Sequence, residues 1–268
     1  DVVFVGETHR LARHHRLQVV VAEKLLASGR PLRLGVEQIE ARDQPVLDRY
    51  NRGEISFDAF AKAINWKSEW DNYEDYRALL ETVREGKGRV IGLNAPREVI
   101  HETGKVGIAG LSKEQRALLP ETIHTDDPVY ERLLNQLLSV HSAFDPKFLR
   151  NVFEAQIARD DHMADTLVSA LKAATPADGK TRPIALAVTG SGHIQFGLGT
   201  PDRVRWRQTK LEDRIILMSE SGDLVLSPME EEMRRAVTIT HRDLRFIGRP
   251  VADYLHVKEW NPEADKAK

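Results

Sequence analysis

At 268 residues the chain is long enough for one large α/β domain or two small ones, and 39 Lys+Arg against 41 Asp+Glu leave a formal charge of -2, none of the basic field that a nucleic-acid partner requires. With no cysteine, disulfides and thiolate metal sites are excluded, so any metal falls to His, Asp, Glu or Tyr. The longest apolar runs, such as Val2 to Val5 and Ile184 to Val188, are strand-sized and far short of the ~20 residues that span a bilayer.

Residue 1 already opens an apolar run, Asp1-Val-Val-Phe-Val-Gly6, so any signal peptide or lipid-bearing cysteine is expected upstream of it. Short Val/Ile/Leu runs then alternate with stretches at helical spacing, which predicts βαβ units: an α/β fold with a mostly parallel sheet and helices on both faces. Strands are expected at Val2 to Val5, Leu32 to Glu37, Arg89 to Leu93, Ile184 to Val188 and Asp213 to Met218, with a short edge strand at Asp223 to Leu226. A helix over Leu17 to Leu26 stops at Gly29 and Pro31, and short helices follow at Asp43 to Tyr50 and Ser56 to Ala63. An aromatic segment of Trp66, Trp70, Tyr73 and Tyr76 leads into a helix ending at Gly86. Between Leu111 and Ala174 the strand pattern vanishes and three amphipathic segments follow, the second with Asp126 and Asp127 before Pro128 as a helix start. Residues 1–110 and 175–262 are therefore read as one α/β core domain, 111–174 as a helical insertion partly standing apart within it, and 263–268 as a frayed tail.

Four of the strands run from an apolar body into polar residues: Gly6-Glu7-Thr8-His9, Glu37-Gln38, Asn94 with Arg97, and Gly190-Ser191-Gly192-His193. In a parallel sheet these ends open at one edge, where open α/β sheets bind ligands. A pair of Gly-x-x-His elements suits two imidazole ligands, His9 and His193, to a divalent metal, with Glu37 or Glu7 as carboxylate. Glu7, Glu37 and Arg97 are the candidate catalytic groups, Arg97 by forking an anionic substrate group. His15 and Gln18, three apart on one helix face, are expected near the same edge with Asn94. Thr189-Gly-Ser-Gly-His193 lacks the second glycine of a nucleophile elbow, which disfavours a serine hydrolase.

Val-Phe-Val-Gly-Glu-Thr-His9 with His15 and Gln18, Gly-Val-Glu37, Gly-Leu-Asn-Ala-Pro-Arg97, Ala155-Gln156 with Arg159-Asp160 and Met163-Ala164, Gly190-Ser-Gly-His193 and Ala252-Asp-Tyr-Leu255 together resemble the ChaN family of iron-regulated, haem-binding lipoproteins over nearly the whole chain. The resemblance implies a haem-binding protein of bacterial iron acquisition. It implies a homodimer when haem is bound, with a tyrosine ligand at the dimer interface. It also implies a place in the cell envelope, periplasmic or on the outer membrane, with membrane contact only through an upstream lipid anchor. The wider superfamily, with Tiki, TraB and erythromycin esterases, implies the alternative: a metal-dependent hydrolase with its roles on His9, His193, Glu37 and Arg97.

Haem needs a broad apolar wall, which strand-end turns do not offer, so its expected place is the helical insertion. Tyr130 is the insertion's one tyrosine, and a phenolate favours ferric iron. His141 follows 11 residues later, roughly 16 Å along a helix axis, too far to share one iron within a chain but suited to a dimer in which the two residues come from different subunits. Tyr73 and Tyr76, beside Trp66 and Trp70, are the alternates.

Overall fold

The computed structural model describes residues 1–139, 145–175, 181–219 and 242–257. His141, the edge strand expected at 223–226 and the tail at 263–268 lie outside the described residues.

Six parallel strands form one sheet: β1 (Val2–Glu7), β2 (Leu32–Glu40), β3 (Arg89–Asn94), β4 (Ile184–Gly190), β5 (Asp213–Met218) and β6 (Tyr254–His256), in the order β3-β2-β4-β1-β5-β6. The side-chain period of two divides each strand between two cores. Val5, Leu34, Val36, Leu186 and Val188 face one layer, made by α1 (Ala12–Leu26), α2 (Gln44–Asn51), α3 (Phe57–Ala63), α4 (Trp66–Glu69) and α5 (Arg77–Glu85). Val2, Phe4, Leu93, Ala185 and Ala187 face the other. Parallel strands buried on both faces read as continuous apolar runs, which is why these were visible in the sequence.

The second layer is built largely by the helical segment expected at 111–174. After α6 (Arg97–Val106), α7 (Lys113–Arg116) and α8 (Pro128–Ser139), the helix α9 (Pro146–Ala174) runs about 43 Å. Its C-terminal half lays Met163, Ala164, Leu167, Val168 and Leu171 on the sheet. The 111–174 segment is thus joined to the main core through half of its longest helix. Its N-terminal half packs Phe153 and Ile157 against Tyr130 and Leu133 of α8. Among the described residues of this segment no strand occurs. Asp127 caps α8 as its position suggested, its Oδ1 accepting from the Tyr130 N–H at 3.2 Å.

The chain leaves β1 across one face through α1 and leaves β4 across the opposite face through α10 (Thr200–Arg207). The ends of adjacent β1 and β4 thus bracket the crevice at which such sheets bind ligands.

Candidate functional site

Glu7, the last residue of β1, is fully buried at its side chain and gathers donors from three elements. The Tyr76 hydroxyl and Gln18 Nε2 both donate to it, and Gln38 Nε2 donates to Oε1 at 3.0 Å. An ionised carboxylate only accepts, so His9, with Nδ1 2.8 Å from the same oxygen, donates there too. His15 is 3.7 Å from Glu7 Oε2 and donates from Nε2 to the His9 carbonyl at 2.9 Å. Trp70 meets the His9 ring edge-on at 4.9 Å. Burial opposes a charge on His9, but the Glu7 hydrogen bond and the Glu37 charge outweigh it and raise its pKa. Burial and the Glu7 charge together hold the Tyr76 phenol protonated far above its ordinary range.

The second half of the site is an ion chain at the end of β4. Glu37 accepts the Gly190 N–H at 2.7 Å and has its Oε1 3.2 Å from His193 Nε2. His193 Nδ1 donates to Asp160 Oδ1 at 2.7 Å. Thr200 Oγ1 donates to that oxygen at 2.8 Å, and the Tyr130 hydroxyl to Oδ2 at 3.0 Å. Burial disfavours the imidazolium, yet two flanking carboxylates win and raise the His193 pKa to about 10. Glu37, despite burial, is held well below the ordinary carboxylate range by His193 and Arg159. Two glycines make the approach possible. A Cβ on Gly190 would stand 3.1 Å from two atoms of the His9 ring, and Gly199, at φ +64°, would put one 2.3 Å from the His193 carbonyl oxygen.

The structure thus brings His9, Glu7, Glu37, His193, His15 and Gln18 to one sheet edge, with Asn94 on the wall of the adjoining cleft. It does not form the expected metal centre: among the described residues no three His, Asp or Glu side chains are arranged to hold a metal ion. The reason is local. Both His193 nitrogens face carboxylates, one Glu37 oxygen is bound by a backbone N–H, and His9 Nδ1 is committed to Glu7.

Arg97 is the expected holder of an anionic substrate group. It lines the same cleft as Glu37, but its guanidinium is exposed and pairs with Glu69, with no contact to His9, Glu37 or His193. The cation beside Glu37 is Arg159, with Nη1 3.9 Å from Oε1. Tyr130 is the expected haem ligand of the helical segment. It is fully buried, accepts from Gln156 Nε2 at 3.2 Å and donates to Asp160, and burial with the Asp160 charge holds its pKa far up. In this conformation its phenol is closed to a haem iron. Tyr76 is closed likewise by Glu7, and Tyr73 is stacked on Phe57 at 6.2 Å.

Gln156, Arg159 and Asp160 were missed as site residues, although their spacing of three and four on α9 marks one face. Polar groups at helical spacing beside the inward-facing Ile157, Met163 and Ala164 were the available signal.

The family model described as "Haem-binding uptake, Tiki superfamily, ChaN" matches residues 1–204. A solved structure of ChaN from Campylobacter jejuni, showing cofacial haem binding to that protein, is 19% identical over 83% of this chain and 82% of its own, with a TM-score of 0.61, a likeness of fold. Protein RETICULATA-RELATED 5, chloroplastic, of Arabidopsis thaliana is 22% identical over 235 residues, 81% of this chain. The chain spans only 31% of that relative's length. A sheet edge assembled from the residues that carried the resemblance, and a family match over residues 1–204, place this chain in the ChaN family of haem-binding uptake proteins.

Proposed function

We propose that the chain binds ferric haem between two copies of itself at the β6 edge of the sheet, with Tyr254 as the iron ligand. One observation carries this reading: of the chain's five tyrosines only Tyr254 is exposed, at 59%, and it stands in an exposed apolar strip with Val251, Leu255 and Val257. Tyr50, Tyr76 and Tyr130 are buried. β6 pairs with β5 through Tyr254 and Leu255 opposite Ile216 and Leu217, and is the last strand of the sheet among the described residues. An edge strand carrying apolar side chains is a surface that a second copy or a flat apolar ligand covers. A bound haem would bring redox-active iron, and a phenolate ligand would hold it ferric.

The test is a ferric-haem titration followed by the Soret and charge-transfer bands, with sizing in parallel. Tyr254→Phe should lose the phenolate charge-transfer band and bind haem more weakly, while Tyr130→Phe keeps both. Retention of the band in Tyr254→Phe would discard the assignment, and a haem complex that stays monomeric would discard the dimer. The family resemblance further supports a place in the cell envelope through an upstream lipid anchor, tested by fractionating cells that make the natural precursor. No helix among the described residues is long and apolar enough to cross a membrane.

A second reading is hydrolysis at the sheet edge without a resident metal. It is favoured by the Glu37–His193–Asp160 chain, whose Glu37 lines the cleft and sets a carboxylate beside an imidazolium. Release of nitrophenolate from p-nitrophenyl acetate by protein in chelator, lost in Glu37→Gln, is the assay. A wild-type rate equal to buffer would dismiss it.

A further inference from the structure

The ends of β2 and β3 and the inner face of α9 enclose a cleft of about 390 Å³, with Gln38, Trp70, Asn94 and Arg159 among its walls. Four of its polar side-chain atoms are buried without a hydrogen-bond partner, one of them Glu40 Oε2, which is ion-paired with Arg42 at 2.5 Å. Gln38 is 3% exposed, and its amide orientation is fixed because Nε2 donates to the acceptor-only Glu7 carboxylate at 3.0 Å. Its Oε1 is then the free end, buried and unmet. Asn94 Oδ1 is in the same condition on the neighbouring strand end, and so is Nε of Arg159. The nearest carboxylate to that guanidinium is 3.9 Å away, beyond hydrogen-bond reach. That carboxylate, Glu37, is already met by His193 and the Gly190 N–H, which leaves the Arg159 donors available.

Buried polar atoms are almost always satisfied, by protein or by something bound. Arg42 and Arg97 on the same walls are paired with Glu40 and Glu69, so the cleft offers one forked cation outside a close ion pair, Arg159, and two amide oxygens, and asks for a ligand with the converse groups. We propose that this cleft is a binding site for a small carboxylate that also bears an N–H or O–H donor, the carboxylate taken by Arg159 and the donor by Gln38 Oε1 and Asn94 Oδ1. The Trp70 ring beside it supplies the apolar wall for the carbon skeleton. The site uses none of the β6 strip. It deepens the hydrolytic reading by naming what the cleft receives, and it concerns binding, whether or not turnover follows.

The test is calorimetric titration of the whole chain with three probes: N-acetylglycine, which has both features, N-acetylglycinamide, which lacks the carboxylate, and acetate, which lacks the donor. N-acetylglycine should bind at least about tenfold more tightly than either, the worth of one charge-assisted contact. Arg159→Gln should lose about tenfold in N-acetylglycine affinity, and Asn94→Ala a smaller factor. Arg10→Gln, whose side chain is exposed and paired with Asp71, should bind as wild type does. Equal affinity for the three probes, no saturable binding, or an unchanged affinity in a folded Arg159→Gln each overturns the proposal. The probe comparison is made on wild type, so it stands even where a variant unfolds. An inactive protein that binds N-acetylglycine selectively leaves this inference intact while removing the hydrolytic one.

Discussion

Raising the pH should destabilise the fold through His193. Its side chain is 7% exposed and lies between Glu37 and Asp160, which raise its pKa to about 10, while in the unfolded chain an imidazole titrates near ~6.5. Because the folded value is the higher one, the stabilisation is complete below the unfolded pKa and is lost as pH rises through the folded one. Between pH 7 and 9 the folded protein holds nearly one proton that the unfolded chain has released, which amounts to roughly 2–3 kcal/mol. Urea denaturation of wild type and His193→Gln at pH 7, 8 and 9 measures it. The variant should be less stable at pH 7, by roughly 3–5 kcal/mol for breaking a buried pair. The gap between the two proteins should then narrow by roughly 2–3 kcal/mol by pH 9. Curves that run parallel over this range, or a His193 ring proton that titrates near 6.5 in NMR, would refute the ion-chain account.

Glu37 has the opposite sign. Its pKa is depressed in the fold, so its contribution is present above the ordinary carboxylate range and should be lost as pH falls below it, seen as an acid limb in wild-type denaturation that is shallower in Glu37→Gln. Asp160→Asn removes one of the two carboxylates on His193, and NMR titration should show the His193 pKa falling while still above its ordinary value, held by Glu37. Gly199→Ala combines a positive φ with a Cβ 2.3 Å from the His193 carbonyl oxygen, and thermal or urea melts should report a loss on the order of 2–4 kcal/mol.

The strands were legible because both of their faces are buried, so that Ile184 to Val188 and Val2 to Val5 carry no polar interruption. The edge site was legible for the same reason: where such a run turns polar, the change marks the strand end. What escaped lay on helices. Gln156, Arg159 and Asp160 are three polar residues in a helix with many others, and only the placement of α9 over the ends of β2 and β4 distinguishes them from a solvated face. Arg97 follows a strand end as expected, yet it begins α6 and its side chain turns outward to Glu69. Tyr130 was singled out for its chemistry, whereas its neighbours Phe153 and Leu133 and the Asp160 acceptor make it a packing and hydrogen-bonding residue. β6 was hidden by its brevity, three residues with an exposed pattern.

The sheet order bears on how the two proposed ligands would influence each other. Four interstrand steps separate β2, at the cleft, from β6, at the haem strip, and at ~4.8 Å per step this is roughly 19 Å. β4 and β1, between them, are buried on both faces, and a close-packed parallel sheet has no second arrangement to adopt when one edge is filled. Sites this far apart with no shared partner act additively. Saturating N-acetylglycine should therefore leave the haem dissociation constant within about threefold of its value in buffer, a factor worth less than 1 kcal/mol. Haem should likewise leave N-acetylglycine affinity unchanged, since any coupling between two binding equilibria is reciprocal. A tenfold change appearing in both titrations would mean that haem reaches the cleft itself, and would move the proposed haem site from β6 to the carboxyl edge of the sheet.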